Sequence, residues 1–291
     1  MYHTSPQLQL LIRREFGGNF NTKVTNNQGD EQHELTYPAP DVRISAVFKD
    51  LMQGLSHLVY PPHCLVCSTH DTAHPSGSGV CPACRAAIAL NRPPFCRKCS
   101  RYLGSHIGQI HCKECRNAKP SFDFAWSACL YEDPLKGLIH RFKYSQKTQL
   151  RRLFADTMIS FIKEYDLDIG QFDAIVPVPL SSTRSRERGY NQAQLLALEL
   201  AKEFSIPMEE NQLRRTLHTA PQSLLDEKQR WTNIKGAFTI RKLKNLRRKN
   251  ILLVDDLLTT GATASEAARV LKSAGAGTVG VLTLAITAER Q

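Results

Sequence analysis

The chain reads Ile251-Leu-Leu-Val-Asp-Asp-Leu-Leu-Thr-Thr-Gly-Ala-Thr263 near the end of its 291 residues. The apolar pattern predicts a buried strand at residues 250–254, and two carboxylates, Asp255 and Asp256, follow at its carboxyl end. Small residues with hydroxyl groups and a glycine then lead into a predicted helix at residues 264–274. Such a loop offers several backbone N–H groups to one anion, helped by the helix dipole, and Gly261 lets the backbone approach closely. The order suits a ligand that carries a phosphate beside a diol.

Other classes of protein share an acidic pair after a strand. A Walker B strand requires a partner G-x-x-x-x-G-K-[ST] motif, which occurs nowhere in this sequence. A response regulator requires a phosphoacceptor aspartate on a later strand, and no aspartate follows Asp256. The remaining alternative is an ordinary core strand that ends in a solvated turn.

Strand-like and helical patterns alternate along the chain that leads to this motif. Strands are predicted at residues 124–131, 172–178, 250–254 and 278–286, and helices at residues 134–144, 150–165, 192–204 and 264–274. Alternation of this kind predicts an α/β fold with a doubly wound, mostly parallel sheet. Ligands bind such sheets at the carboxyl ends of the strands.

The chain has nine cysteines, of which Cys129 stands alone. The other eight form four Cys-x-x-Cys pairs: Cys64 with Cys67, Cys81 with Cys84, Cys96 with Cys99, and Cys112 with Cys115. The first two pairs are 13 residues apart and the last two 12, which is close to zinc-ribbon spacing. Four thiolates suit tetrahedral zinc and leave no open position, so we expect one or two structural Zn²⁺ ions. Sequential and cross-braced pairing both fit the spacing, and redox-active pairs are the alternative.

Composition divides the chain into three parts. Residues 1–45 are polar and lack a hydrophobic period, which predicts a disordered or mis-started extension. Residues 46–118 contain a predicted short amphipathic helix at 46–60, followed by the cysteine-rich zinc-ribbon module. Residues 119–291 contain the α/β domain.

The sequence carries 38 Lys and Arg against 27 Asp and Glu, a formal net charge of +11. Such a balance attracts phosphate-bearing partners, including nucleic acid, although a basic solvated surface has the same composition. The cation-rich run at residues 241–249 is either a nucleic-acid contact or a basic loop. There is no apolar run of about 18 residues and no secretory signal pattern. We therefore expect no membrane span and a cytoplasmic location.

The motif at residues 251–263 resembles the phosphoribosyl diphosphate (PRPP) motif of the type I phosphoribosyltransferases. The wider sequence resembles the ComF family, the competence protein F and GntX-like group. The segments that carry this likeness are Lys143-Tyr144, Val176-Pro-Val-Pro-Leu180, Arg186-Glu-Arg-Gly-Tyr-Asn-Gln-Ala193, Leu213-Arg-Arg-Thr216, Gln222-Ser-Leu-Leu225, Arg230, Asn233 and Lys235-Gly-Ala-Phe238. The likeness implies a type I phosphoribosyltransferase-like sheet behind a double zinc ribbon.

The resemblance also implies a site for PRPP with Mg²⁺. Asp255 and Asp256 would be catalytic residues that contact the ribose hydroxyls. The 5′-phosphate would lie on the loop formed by Thr259, Thr260, Gly261, Ala262 and Thr263. The diphosphate would be bound by a loop and the arginines that follow it: Leu180, Ser181, Ser182, Arg184, Arg186 and Arg188. Guanidinium groups grip phosphate oxygens in pairs, and a solvated basic turn is the alternative for these arginines.

Residues 213–238 fall where members of the family carry a mobile flap, and an ordinary surface loop is the alternative. The flap residues that would close over the ligand are Arg214, Arg215, Gln222, Arg230 and Asn233. The implied function is PRPP binding linked to DNA uptake and natural competence, with phosphoribosyl transfer to an acceptor that the sequence does not identify. The alternative is a non-catalytic PRPP-fold protein that binds single-stranded DNA or a competence-machinery protein.

Overall fold

The computed structural model describes residues 63–69, 77–104, 110–217, 226–241 and 246–288. The expectations for residues 1–45 and for a helix at 46–60 lie outside these ranges. Within them, an α/β domain follows a cysteine-rich module. Among the described helices, none has both the length and the apolar character needed to cross a membrane.

Six strands and eight helices are described. The strands are β1 (Phe124–Leu130), β2 (Ala174–Pro177), β3 (Leu213–Arg215), β4 (Phe238–Ile240), β5 (Ile251–Leu258) and β6 (Val279–Ile286). The helices are α1 (Pro82–Ala86), α2 (Lys113–Ala118), α3 (Leu135–Tyr144), α4 (Leu150–Glu164), α5 (Ser182–Arg188), α6 (Gln192–Phe204), α7 (Glu227–Ile234) and α8 (Ala262–Ser273). A short 3₁₀ helix lies at Ile169–Gln171.

The main sheet has four parallel strands in the spatial order β1-β6-β5-β2. In its register Ile175 lies opposite Leu252 and Asp255 lies opposite Thr283. Strands β3 and β4 form a separate antiparallel pair. Because β2 and β5 are parallel neighbours, their carboxyl ends meet at one edge of the sheet, where ligands bind in this class of fold.

Helices cover both faces of the main sheet. Successive residues of β5 point to opposite sides, so that Leu252 and Val254 pack towards α4 and α6, whereas Ile251 and Leu253 pack towards α8. All four side chains are buried. Burial on both faces explains why the sequence shows continuous apolar runs here rather than the alternation of a half-exposed sheet.

The predicted α/β class, with a mostly parallel sheet, is confirmed, and each strand and helix predicted between residues 124 and 288 is present. One difference is that β5 continues past the predicted end to Leu258, because Leu257 and Leu258 still pair with β6. A second is that residues 182–188, for which no helix is predicted, form helix α5. A third is that part of the predicted flap forms the β3–β4 pair and helix α7.

The cysteine-rich module packs directly on the α/β domain. The buried Asn91 amide donates to the carbonyls of Ser100 (2.8 Å) and Ser127 (3.0 Å), and so joins the module to β1. The Ala125 amide donates to the Lys98 carbonyl at 2.8 Å. The ring of Phe95 lies edge-on to aromatic rings at the end of α4. The module is therefore buried together with the sheet, and it contributes residues to both hydrophobic clusters of the chain.

Candidate functional site

The loop between β5 and α8 has the backbone geometry expected of an anion site. Gly261 is the residue before α8 and adopts a left-handed conformation (φ +79°) that a side chain would strain. The Ala262 amide donates to the Thr260 hydroxyl at 3.4 Å, and the Ser265 amide donates to the Gly261 carbonyl at 2.8 Å. The positive end of the α8 dipole therefore lies at the carboxyl edge of the sheet.

The acidic pair lies within β5, directly before this loop. Asp255 accepts a hydrogen bond from the Asp256 amide at 2.8 Å, and Asp256 forms an ion pair with Lys143 Nζ at 2.8 Å. Burial, and next the charge of Asp256, raise the pKa of Asp255 to about 7. One carboxylate is thus ion-paired with a cation from the end of α3, while the pKa of the other lies close to neutral pH.

Two arginines of α5 face this edge of the sheet. Arg184 and Arg188 are four residues apart and therefore share one side of the helix. Burial, and next the charge of Arg188, lower the pKa of Arg184. Arg188 donates to Gln192 Oε1 (2.9 Å) and to the Tyr144 hydroxyl (3.1 Å), and its guanidinium lies 4.9 Å from the centre of the Tyr144 ring.

Local sequence explains how these arginines are positioned. The buried Ser181 hydroxyl caps α5 by accepting from the Arg184 amide, and Gly189 ends the helix in a left-handed conformation (φ 76°).

The start of α6 is bonded to the residue after β2 and to α3. Asn191 caps α6 by accepting from the Ala193 amide and also donates to the Val178 carbonyl at 3.1 Å. The Tyr190 hydroxyl donates to the Phe142 carbonyl of α3. This segment therefore consists of α5 and α6 joined by a short turn, and it is bonded to the residues at the end of β2.

A third arginine reaches the site from the β3–β4 pair. Burial, and next the charge of Arg184, lower the pKa of Arg215 to about 10, whereas Asp255 acts in the opposite direction. The guanidinium lies 5.7 Å from the centre of the Phe238 ring. The same strand pair is tied to α8, because the Gly236 amide donates to Glu266 Oε1 at 2.7 Å.

Electrostatically, the site suits an anion next to a group of hydroxyls. The guanidinium groups of Arg184 and Arg215 have lowered pKa values, first because they are partly removed from water and next because each lies near another arginine, and a bound polyanion would relieve that repulsion. The acidic pair on the opposite side offers acceptors for hydroxyl groups. The short loop at the start of α8 provides a second place for an anion.

Eight cysteines form two tetrads, each suited to one zinc ion. The first consists of Cys64, Cys67, Cys81 and Cys84, the second of Cys96, Cys99, Cys112 and Cys115, and within each tetrad all sulfurs lie within 4.8 Å of one another. The Sγ–Sγ distance is 3.8 Å between Cys67 and Cys81 and 3.6 Å between Cys99 and Cys112. A zinc tetrahedron with Zn–S bonds of about 2.3 Å has sulfurs about 3.8 Å apart, so the tetrads fit zinc.

Pairing within the tetrads is sequential, not cross-braced. Backbone amides donate to the sulfurs, among them Cys81 to Cys64 (3.4 Å) and Cys112 to Cys96 (3.3 Å), as suits thiolate ligands. Cys129 lies apart from both tetrads, and burial raises its pKa to about 12. It is therefore a protonated core residue of β1.

Comparison with known proteins identifies the family. A double zinc ribbon domain matches residues 55–116 and a phosphoribosyl transferase domain matches residues 152–291. Competence protein F of Haemophilus influenzae is 33% identical over 227 residues, which cover 76% of this chain and 96% of that protein. This chain belongs to the ComF family.

Other relatives of this ComF-family chain include the DNA utilization protein YhgH of Escherichia coli (strain K12). It is 30% identical over 225 residues, which cover 72% of this chain and 97% of that protein. Competence protein ComFC of Bacillus subtilis is 29% identical over 204 residues, covering 67% of this chain and 79% of that protein. Among solved structures, a purine phosphoribosyltransferase from Pyrococcus horikoshii matches with a TM-score of 0.30 and 19% identity, covering 46% of this chain and 70% of that one.

Most of the predicted ComF-type site residues lie at one edge of the sheet. Asp255, Asp256, the loop at residues 259–263 and the two arginines Arg184 and Arg188 are all at the carboxyl ends of β2 and β5.

The other predicted residues differ in their exposure. Ser181 is buried and caps α5, Leu180 is half-buried, and Ser182 is exposed. Arg186 is exposed on another side of α5. Among the flap residues, Gln222 lies outside the described ranges.

Two further residues contact the predicted site residues, although the predicted site did not include them. Lys143 pairs with Asp256, and Tyr144 contacts Arg188. In the sequence, these two residues stand out only as part of the likeness to the ComF family. Their contacts join residues far apart in sequence, so no local spacing reveals them.

Proposed function

We propose that this ComF-family chain binds PRPP with Mg²⁺ at the carboxyl ends of β2 and β5. The observation that carries the proposal is that Arg215 lies close enough to interact electrostatically with both Arg184 and Asp255, and that Arg188 in turn lies near Arg184. A ligand with a diphosphate, a vicinal diol and a separate phosphate complements these charges. The phosphoribosyl transferase domain match supports the same ligand.

Each part of the ligand has its own partners in this proposal. The loop of Thr259, Thr260, Gly261, Ala262 and Thr263 cradles the 5′-phosphate at the start of α8. Asp255 and Asp256 accept hydrogen bonds from the ribose hydroxyls. The diphosphate contacts the arginines named above and the backbone of residues 180–182, with Arg186 at its outer rim. Lys143 orients Asp256 through their ion pair.

Mg²⁺ fits the residues present, because the acidic pair already holds one cation, the Lys143 ammonium, at 2.8 Å. When bound with the ligand, the ion would supply charge neutralisation at the diphosphate. The chain's own contribution is to orient the ribose through the acidic pair and to hold the leaving diphosphate with guanidinium groups. Phosphoribosyl transfer would break the bond from the anomeric carbon to the diphosphate oxygen and form one to an acceptor nucleophile.

Calorimetric titration with PRPP and Mg²⁺ tests the site. We expect the double substitution Asp255→Asn and Asp256→Asn to weaken binding at least about tenfold, since hydrogen bonds to charged groups contribute about 1.5–3 kcal/mol each. The control Asp156→Asn alters an exposed carboxylate of α4 and should bind as the wild type does. Equal affinity of wild type and double variant would show that the ligand binds elsewhere or not at all.

We further propose a cytoplasmic role in DNA uptake, in line with the names of the relatives, which refer to competence and DNA utilization. A specific observation favours single-stranded DNA as a partner. Tyr144 is 61% exposed, its ring lies 4.8 Å from that of His140, and Arg188 lies against it. An exposed ring with neighbouring cations can stack a base and contact its phosphate.

Fluorescence polarisation with labelled single-stranded DNA at two salt concentrations tests this partner. We expect binding that weakens with salt and a several-fold loss in Tyr144→Ala. The control Tyr102→Ala removes an exposed ring of the cysteine-rich module, 48% exposed, and should have no effect. If the wild type does not bind at low salt, the DNA role is excluded.

Pyrophosphate release separates an enzyme from a binding protein. Wild-type protein saturated with PRPP is offered purine, pyrimidine and amine acceptors in turn. We expect acceptor-dependent release that disappears in the Asp255→Asn and Asp256→Asn double variant. Release at the rate of spontaneous PRPP hydrolysis with every acceptor would favour the non-catalytic alternative.

A further inference from the structure

Arg101 links the second cysteine tetrad to the loop at residues 259–261. Its side chain is buried, with 5% of the residue exposed. One nitrogen donates to the Thr259 carbonyl at 2.7 Å, and another forms an ion pair with Glu114 Oε1 at 2.7 Å. Arg101 is two residues after Cys99, and Glu114 lies between Cys112 and Cys115.

This arrangement is more than a surface ion pair. A guanidinium is costly to bury unless its charge and its donors have partners, and each of the two terminal nitrogens of Arg101 has one. Glu114 lies on α2, between Cys112 and Cys115 of the tetrad. Thr259 lies at the end of β5. The bond therefore spans 158 residues of sequence and joins a metal-binding module to the start of the candidate phosphate loop.

The contact also fixes the direction of a peptide group. A loop that binds an anion must aim its N–H groups at the ligand, and a carbonyl oxygen turned inward would repel phosphate. Arg101 holds the Thr259 carbonyl on the side of the tetrad. A small cavity next to this contact is lined in part by Cys115, Trp231 and Thr260, so apolar packing does not fill all the space between the ribbon and the loop.

We propose that Arg101 is a positioning residue through which the metal-held second tetrad sets the phosphate loop for its anion. The proposal rests on the proposed function, in which this loop binds the 5′-phosphate of PRPP. Arg101 touches neither ligand nor reacting atoms. It acts through the Thr259 peptide, and Glu114 holds its guanidinium in the required orientation.

Coupling of this kind is reciprocal: if the ordered ribbon favours PRPP, bound PRPP must favour retention of the metal. The first measurement therefore needs no substitution. Wild-type protein is mixed with a zinc-selective chromogenic chelator in the presence and absence of PRPP and Mg²⁺. We expect PRPP to slow the release of one of two zinc ions severalfold, and to leave the other unchanged. Equal release rates in a protein that binds PRPP would overturn the proposal.

The second measurement uses Arg101→Met, with Arg97→Met as the matched control. Arg97 belongs to the same ribbon, but its side chain is exposed. We expect about tenfold weaker PRPP binding for Arg101→Met, the loss of one charged hydrogen bond, together with loss of the PRPP effect on zinc release. Arg97→Met should retain both.

The outcomes separate the two proposals. If the wild type fails to bind PRPP in calorimetry, the proposed function falls and the role of Arg101 falls with it. If the wild type binds and Arg101→Met shows the same affinity and the same protection of zinc, only the positioning role is wrong. Should Arg101→Met prove unable to fold, the wild-type chelator measurement still decides the question.

Discussion

Asp255 has opposing effects on stability and on ligand binding. Its pKa rises from 3.8 in its ordinary state to about 7 in the folded chain because it is buried next to Asp256. Between about pH 4 and 7 the unfolded chain has lost this proton while the folded chain retains it. The free energy of unfolding therefore falls as the pH rises through that interval, and the full loss is reached above pH 7.

We predict that Asp255→Asn stabilises the fold above pH 7 and weakens PRPP binding. One unit of pKa shift corresponds to about 1.4 kcal/mol, so a gain of more than about 1 kcal/mol in the free energy of unfolding is expected at pH 8. Urea unfolding at pH 8 and at pH 5 measures it, and the gain should be smaller at pH 5. A gain independent of pH would contradict the assignment.

Another prediction at the residue scale concerns the turn that follows Cys99. Ser100 has a left-handed backbone conformation (φ 58°), and so does Ser68 (φ 59°), which holds the corresponding position after Cys67. This conformation costs a non-glycine residue about 1–2 kcal/mol. Ser100→Gly should therefore stabilise the zinc-bound protein by about 1 kcal/mol. Ser100→Ala is the control, because it removes the hydroxyl but keeps the strain. Denaturant unfolding of both variants should show the gain in the glycine variant alone.

At the scale of elements, β6 contains a glycine that the neighbouring aromatic rings require. A Cβ at Gly280 would lie 2.6 Å from Phe172 Cζ and 3.0 Å from Phe124 Cε2. We predict that Gly280→Ala lowers the free energy of unfolding by about 1–3 kcal/mol, as overpacking does. In contrast, Gly137→Ala on the exposed side of α3 should raise it by about 0.5–1 kcal/mol. Thermal unfolding of both variants would reveal opposite shifts.

The elements that sequence predicted well are those with strong hydrophobic patterns. The strands of the main sheet are covered on both faces, and helices α4, α6 and α8 have one apolar side, so each pattern records its own burial. Helix α5 has no buried residue. It is set by its ends, Ser181 and Gly189, and not by a period. The three-residue strands β3 and β4 are too short to show alternation, so their pairing follows from packing against α8.

The candidate site was predictable where its residues lie in one segment, as in residues 255–263. Lys143, Tyr144 and Arg101 join it through contacts between distant parts of the chain, which a single sequence does not encode in any local spacing. For the same reason the sequence left both sequential and cross-braced pairing of the cysteines open, because both pairings fit the spacing. Only the fold brings the sulfurs of each tetrad within 4.8 Å.

At the scale of the whole molecule, the cysteine-rich module and the sheet are buried against each other. Loss of the metal from the module should therefore affect the stability of the sheet as well. Asn91 and Phe95 join the module to β1 and α4. We predict that removal of zinc lowers the melting temperature of the entire chain in one cooperative transition, measured by calorimetry with circular dichroism. Two separate transitions, with the sheet unaffected by chelation, would show that the module folds independently.

The position of β1 has a consequence for any shorter version of this protein. The phosphoribosyl transferase match begins at residue 152, yet the edge strand that covers β6 lies at Phe124–Leu130. A fragment cut at residue 152 would expose one side of a strand whose eight residues are all buried. Bare strand edges recruit other chains, so such a fragment should self-associate, and light scattering should detect aggregates where the longer chain gives none.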